Sequence, residues 1–134
     1  MPLPVLAIDP GRDKCGLALV DSSGKVLARR LVLRAGLGEA ARELLAVGPV
    51  AALVLGDGTD SRRVSGELAS ALGEAMPALA MVDERDSTLE ARALYFADHP
   101  PTGLWRLLPL SLQTPGEPHD DYAAVVLARR YLGV

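Results

Sequence analysis

The chain has little of what several classes of protein need. It has one cysteine, Cys15, in 134 residues, which excludes disulfide frameworks and cysteine-based zinc sites and favours a reducing compartment. Aromatic residues make up only 4%, so the stacking of many bases on aromatic rings is not the expected way of binding nucleic acid. The net charge is −3, so any contact with nucleic acid needs a local basic patch or bound cations.

Long apolar runs and targeting signals are also missing. No stretch approaches the roughly 20 apolar residues of a membrane span. The N-terminus lacks the basic region and the long apolar region of a signal peptide. Hydrophobic residues nevertheless make up 49%, which is enough for a core and argues against disorder. We therefore expect one soluble cytoplasmic domain over residues 1–134, with no membrane partner.

Apolar runs and turn residues predict five strands and four helices. The strands are expected at 4–9, 16–21, 25–33, 50–56 and 78–82. The helices are expected at 37–47, from an Asp60-Ser61 cap to an end near 73–77, at 87–97 and at 119–132. Short turns between the first three strands require antiparallel pairing, whereas the later strand–helix alternation favours parallel pairing. The predicted fold is α/β, a five-stranded mixed sheet flanked by helices. The Pro-rich stretch 98–118 is predicted to be a loop, and its apolar part, 104–112, either covers the core or forms a contact surface.

Acidic residues follow the strands that are expected to run parallel. Asp9 ends the first strand, Asp57 follows the fourth, and Asp83-Glu84 follows the fifth. In open α/β sheets, ligands bind outside the carboxyl ends of the strands, so these side chains are expected at one edge. The last helix opens with Asp120-Asp121 and can bring further carboxylates to that edge.

Carboxylates that crowd together repel one another unless a cation neutralises them. Hard divalent cations such as Mg²⁺ and Mn²⁺ prefer oxygen ligands, and two ions about 3.5–4 Å apart can promote phosphodiester hydrolysis. Each acid also has an ordinary structural role, in a loop for Asp57 and at the positive end of a helix for Asp120 and Asp121. Their coincidence at one edge favours a two-ion metal site.

Three motifs resemble the YqgF/RuvX family of Holliday-junction-resolvase-like proteins. They are Ile8-Asp9-Pro10-Gly11 with Gly16-Leu17-Ala18, Val82-Asp83-Glu84-Arg85 with Ser87-Thr88-Leu89-Glu90-Ala91, and Asp120-Asp121-Tyr122-Ala123-Ala124. The resemblance runs nearly end to end and implies an RNase H-type fold and a metal-dependent nuclease. It also implies a substrate: the 5′ end of the 16S ribosomal RNA precursor or, by fold, a Holliday junction. Catalytic and metal-ligating roles are implied for Asp9, Glu84 and Asp120.

Some positions depart from the family pattern and leave alternatives open. Asp121 stands where the family commonly has Ser, so either Asp120 or Asp121 can be the last ligand. Related junction resolvases take their second acid from the fourth strand, where Asp57 stands as a fourth ligand or as a substitute for Glu84. They also place a ligand three residues before the last acid. Glu117 occupies that position relative to Asp120, and His119 is a candidate because it adjoins the acidic pair and can orient water or bind metal. The auxiliary candidates are thus Asp57, Asp121, Glu117 and His119.

Basic residues are expected to border the same edge and to contact phosphates. They are Arg12 and Lys14 after Asp9, Arg62 and Arg63 at the start of the second helix, and Arg85 beside Glu84. Arg29, Arg30 and Arg34, assigned to the third strand, are instead expected to be solvated charges that protect a sheet edge.

The predicted function is hydrolysis of phosphodiester bonds in structured nucleic acid, either RNA or branched DNA, with Mg²⁺ or Mn²⁺ as cofactor. The alternative is the same fold acting as a catalytically inactive module that binds nucleic acid or protein. Symmetric cleavage of a junction favours a homodimer, whereas trimming of RNA needs only a monomer, and the sequence leaves both open.

Overall fold

The computed structural model describes residues 2–58, 60–83, 93, 94, 97 and 120–134, with the backbone alone at 120 and 121. Its strands are β1 (Val5–Asp9), β2 (Lys14–Val20), β3 (Val26–Leu33), β4 (Ala52–Gly56) and β5 (Leu79–Val82). Its helices are α1 (Leu37–Leu45), α2 (Ser61–Leu72) and α3 (Asp120–Leu132), with short 3-10 turns at Arg34–Gly36 and Gly73–Ala75. Positions 93, 94 and 97, inside the predicted 87–97 helix, are helical. The predicted loop 98–118 lies outside the described residues.

The five strands form one mixed sheet in the order β3-β2-β1-β4-β5. β1 pairs antiparallel with β2, and β2 with β3, because only short turns join them. β4 pairs parallel with β1 and with β5, and these connections run through α1 and α2. The predicted mixed sheet flanked by helices is confirmed. β2 begins at Lys14, two residues before the predicted start, because its pairing with β3 extends to Leu33.

The central strands β1, β2 and β4 are buried on both faces, and their alternate residues belong to different cores. One core lies between the sheet and helices α1 and α2, and includes Leu6, Ile8, Leu17, Leu53 and Leu55. The other lies between the sheet and α3, and includes Val5, Ala7, Ala18, Val54 and Leu127. Because successive strand residues point to opposite faces, each position on β1 or β4 can be assigned to one helical layer.

Helix α3 crosses the sheet with its last turn beside the turn between β2 and β3. Arg129 Nε donates a hydrogen bond to the carbonyl oxygen of Gly24 at 3.1 Å. A Cβ on Gly24, which has a φ of 93°, would lie 2.9 Å from a methyl carbon of Val134. This turn follows Val20, which pairs with Val5, so it lies at the opposite end of the sheet from Asp9. Arg129, in the last turn of α3, therefore reaches the end of the sheet opposite Asp9.

Within the ranges given above, no helix combines the length and the apolar character needed to cross a membrane.

Candidate active site at the carboxyl edge of the sheet

Asp9 occupies the last position of β1 and is half-buried. Val5 and Ala7, four and two residues before it, belong to the core under α3. Alternation along the strand therefore places Asp9 on the face that α3 covers. Helix α3, whose residues form that core with the sheet, begins at Asp120.

Two glycines flank Asp9 on the neighbouring strands. Gly16 of β2 is its direct antiparallel partner. In the parallel pair β1–β4, Ile8 is opposite Leu55, so Gly56 is the next residue on the other side of Asp9. Neither glycine has a side chain to fill the space beside the carboxylate. A glycine inside a strand often marks such a close approach, and this is the signal by which sequence reasoning could have identified both positions.

Asp57 directly follows β4 and is exposed. Its backbone N–H donates to the carbonyl oxygen of Val82 at 3.0 Å, so the ladder with β5 continues through this residue. Leu53 and Leu55 face α1 and α2, and the same alternation places Asp57 on that face. Asp9 and Asp57 thus occupy the same edge of the sheet but belong to opposite faces.

Asp83 follows β5 and is exposed. Its carbonyl oxygen accepts a hydrogen bond from Arg130 Nη1 at 2.7 Å. Arg130 lies in the last turn of α3, whereas Asp120 begins the helix. The described end of the Asp83-Glu84 segment is therefore fastened to the last turn of α3. Arg129 and Arg130, both near the end of this helix, each hold a backbone oxygen of another segment.

Several predicted site residues lie outside the described part of the chain: Glu84, Arg85, Glu117 and His119, together with the side chains of Asp120 and Asp121. Among the side chains that are described, no group of three or more His, Cys, Asp or Glu is placed to hold a metal ion. The chemistry of the donors still fits a hard divalent cation, because Asp9 supplies carboxylate oxygens beside two glycines. A full ligand set would have to include side chains from the segments that follow β5 and that begin α3.

Arg34 corrects one prediction from the sequence. It does not lie on β3 as a solvated edge charge, but in the 3-10 turn after that strand, with a side chain only 16% exposed. Its guanidinium forms two hydrogen bonds to Glu67, from Nε to Oε2 at 3.0 Å and from Nη2 to Oε1 at 3.2 Å. Nη1 donates to the carbonyl oxygen of Gly11 at 2.9 Å and lies 3.5 Å from Oδ2 of Asp60. The partners are far from Arg34 in the chain, so no local pattern indicated them.

Asp60 occupies the predicted cap position of α2, but its side chain makes no capping hydrogen bond. The helix begins instead with the Val64 N–H bonded to the Asp60 carbonyl oxygen at 2.9 Å. The Asp60 carboxylate faces Arg34, so the ion pair replaces the expected cap.

The turn after Asp9 packs closely around the carbonyl oxygen of Gly11. Besides Arg34, Cys15 Sγ lies 3.9 Å from this oxygen as a weak donor. Burial raises the pKa of the Cys15 thiol. The hydrogen bond to Gly11 and the charge of Arg34 lower this pKa, whereas the charge of Asp9 raises it further, and the net result is an increase. Cys15 is fully buried and belongs to the core on the α1 and α2 side of the sheet.

A pocket of about 540 Å³ opens beside this turn. Its described lining consists of Arg12, Arg34, Asp60, Arg63 and Glu67. Arg12 and Arg63 are exposed, and both come from segments that follow strands of the carboxyl edge. The pocket thus brings together Arg12 of the β1–β2 turn and Arg63 of α2, two of the residues that are predicted to contact phosphates. Lys14 and Arg62 are exposed as well.

Comparison with solved structures links the chain to characterised proteins. RuvC from Thermus thermophilus matches with a TM-score of 0.56 and 18% identity, over 94% of this chain and 90% of that chain. The same protein in complex with a Holliday junction substrate matches with a TM-score of 0.53 and 15% identity, over the same shares of both chains. The fold is therefore RNase H-like, and at these identities the similarity establishes the fold alone. No protein-family model and no curated protein matches the chain.

Proposed function

We propose that this chain is a single-domain, divalent-metal-dependent nuclease that hydrolyses phosphodiester bonds in structured nucleic acid. Its metal ligands are Asp9, Glu84 and Asp120, with Asp57, Asp121, Glu117 and His119 as auxiliary candidates. The finer assignment is to the YqgF/RuvX family, acting in the cytoplasm on the 5′ end of the 16S ribosomal RNA precursor, with branched DNA as the second substrate class.

The observation that supports the proposal is the placement of Asp9. A carboxylate ends the central strand β1, lies on the face covered by α3, and has glycine on both neighbouring strands. With glycine at both neighbouring positions, no side chain from β2 or β4 stands directly beside the carboxylate. The same fold extends over 94% of the chain in RuvC, whose structure includes a complex with a Holliday junction substrate.

The residues around this edge have distinct tasks in the proposal. Divalent ions supply Lewis-acid stabilisation of the charge that develops on the phosphate oxygens. Asp9 holds one fixed side of that site, while Glu84 and Asp120 complete it from the segment after β5 and from the start of α3. Water adds across the P–O bond: its oxygen joins phosphorus, the bond to the leaving oxygen breaks, and the leaving oxygen receives a proton. Arg12 and Arg63 contact backbone phosphates, which sets the position of the substrate without reading its sequence.

The test compares the wild type with Asp9→Asn on two substrates, a four-way DNA junction and an RNA hairpin with a 5′ single-stranded extension, in Mn²⁺ or Mg²⁺. Removal of a residue that only supports the metal ligands typically lowers activity by up to roughly 100-fold. Loss of a ligand itself should lower kcat by more than that. Asp13→Asn is the matched control, because Asp13 is an exposed carboxylate in the same turn, and its variant should cleave like the wild type.

Three results decide between the alternatives. Metal-dependent cleavage by the wild type and by Asp13→Asn, but not by Asp9→Asn, supports the nuclease. Equal cleavage by the wild type and Asp9→Asn would mean that the activity does not use this site. Binding of either substrate without cleavage by any variant would replace the nuclease with the binding module. The relative rates on the two substrates distinguish RNA processing from junction cleavage.

A further inference from the structure

Arg34 connects three segments of the chain through one guanidinium group. Two of its nitrogens bind the carboxylate of Glu67 in α2, at 3.0 and 3.2 Å. The third binds the carbonyl oxygen of Gly11 at 2.9 Å and lies 3.5 Å from the Asp60 carboxylate. Its own backbone N–H donates to the carbonyl oxygen of Asp13 at 2.8 Å. The turn between β1 and β2 is thus held both by the side chain and by the backbone of one residue.

These contacts constrain the positions of the segments more than an ordinary surface ion pair does. The side chain of Arg34 is 16% exposed, whereas those of Glu67 and Asp60 are 47% and 36% exposed. A two-point contact between guanidinium and carboxylate fixes orientation as well as distance, and a lysine cannot reproduce it. The segments that it joins are the loops after β1 and β4. Gly11 follows Asp9 by two residues, and Asp60 follows Asp57 by three.

We propose that Arg34 is a positioning residue of the nuclease site, which holds the turn after Asp9 against the start of α2 and so fixes the direction of the Asp9 carboxylate. This inference rests on the proposed function. It assigns a role in catalysis to a residue for which the sequence predicts only the protection of a sheet edge.

Arg34 also lines the pocket that contains Arg12 and Arg63, so direct contact with a substrate phosphate is the competing role. The hydrogen bonds argue against that role, because all three guanidinium nitrogens already have partners within the protein. Arg12 and Arg63, which are exposed at the same pocket, are the better phosphate contacts. The two roles predict different kinetics, since displacement of a catalytic group lowers kcat whereas removal of a substrate contact raises KM.

The experiment measures kcat, KM for the nucleic acid, and the Mn²⁺ concentration at half-maximal rate for the wild type, Arg34→Gln and Arg34→Lys. Misplacement of a catalytic group by about 1 Å can lower the rate by about 100-fold, so we expect kcat of Arg34→Gln to fall by about 10- to 100-fold. The Mn²⁺ requirement should rise, and KM should stay within about twofold. Arg34→Lys retains one donor for Gly11 and should recover part of kcat.

Arg42→Gln is the matched control. Arg42 in α1 likewise donates from its guanidinium to another element, but its acceptor is the carbonyl oxygen of Ala71 in α2 rather than a residue of the turn after Asp9. Its variant should lack a comparable hydrogen bond between elements and keep the kcat of the wild type. A decrease in kcat common to Arg42→Gln and Arg34→Gln would indicate general destabilisation and would overturn the positioning role.

Amide hydrogen exchange tests whether Arg34 anchors the turn after Asp9, and it does so without measuring nuclease activity. The N–H groups of residues 11–14 should exchange faster in Arg34→Gln than in Arg42→Gln, because the turn no longer has its anchor. An active wild type with an equally active Arg34→Gln would refute the positioning role alone. So would an unchanged kcat with a raised KM, which would make Arg34 a substrate contact. A wild type that cleaves neither substrate would refute the proposed function, and unchanged exchange would then refute the anchoring as well.

Discussion

The carbonyl oxygen of Lys14 occupies the space that a Cβ on Gly11 would need, well inside van der Waals contact. No real Cβ tolerates such an approach to backbone, so the turn between β1 and β2 closes only because residue 11 is glycine. The turn begins two residues after Asp9, and its shape therefore bears directly on the proposed ligand.

Gly11→Ala should consequently destabilise the protein. Forcing a methyl group against the Lys14 backbone is a case of overpacking, for which we expect the free energy of unfolding to fall by about 1–3 kcal/mol. Gly66→Ala is the control, because Gly66 lies inside α2 and a Cβ there would meet no atom within 4 Å beyond its chain neighbours and the adjacent helix backbone. This replacement should stabilise the helix by about 0.5–1 kcal/mol. Urea denaturation followed by circular dichroism measures both. Equal effects of the two substitutions would contradict the close approach of Lys14.

Asp57 and Asp9 should differ in importance because they belong to opposite faces of the sheet. We expect Asp57→Asn to lower kcat by about 10- to 100-fold, as a residue outside the ligand set does, and Asp9→Asn to lower it further. Single-turnover cleavage of the same substrate by both variants and by Glu84→Gln gives the comparison. If Asp57→Asn were as severe as Asp9→Asn while Glu84→Gln stayed active, Asp57 would take the ligand position proposed for Glu84.

The pocket arginines should contribute to binding by neutralising phosphates. Removing one arginine–phosphate interaction should reduce the slope of log K against log salt concentration by about one unit, so Arg63→Gln and Arg12→Gln should each do so. Fluorescence anisotropy with a labelled junction, in an Asp9→Asn background to prevent cleavage, measures this slope. Lys25→Gln is the control, because Lys25 lies in the turn at the opposite end of the sheet. If Arg63→Gln left the slope unchanged, this pocket would not be part of the surface that binds the nucleic acid.

The turn between β2 and β3 should make stability depend on pH. Asp21 Oδ1 accepts hydrogen bonds from the Ser23 hydroxyl at 2.6 Å, the Ser23 N–H at 2.9 Å and the Lys25 N–H at 3.0 Å. The Ser23 hydroxyl, followed by the Lys25 N–H, lowers the pKa of the Asp21 carboxyl. A lowered pKa in the folded state means that the carboxylate stabilises the fold above its unfolded pKa of about 3.9 and that this contribution disappears as pH falls through the folded value.

Asp21→Asn should therefore be less stable than the wild type at pH 7, and the difference should shrink toward pH 3. Ser23→Ala should show the same trend because it removes the strongest donor, whereas Ser22→Ala, in the same turn, should not. Urea midpoints measured between pH 7 and pH 3 test the expectation. A difference between Asp21→Asn and wild type that grows on acidification would have the wrong sign for this explanation.

The prediction from sequence succeeded where the pattern is local. The apolar run that ends in Asp9 and the Gly-containing turn after it predicted β1 and its antiparallel partner, and both are confirmed. The wholly apolar run before Asp57 predicted a strand covered on both faces, and β4 is buried at every position. It failed at Arg34, whose charge looks solvated in sequence but is held by a carboxylate 33 residues away.

The alternation of apolar and turn residues by itself determined the order of the elements, the mixed pairing of the sheet and the acids that follow its strands, because those properties depend on neighbours along the chain. Tertiary structure alone decided that Asp9 shares its face with α3 while Asp57 does not, that Gly16 and Gly56 flank Asp9, and that Arg34 binds the turn after it. Those relations depend on strand register and on contacts between distant residues, and register is established only when the two cores pack against the sheet.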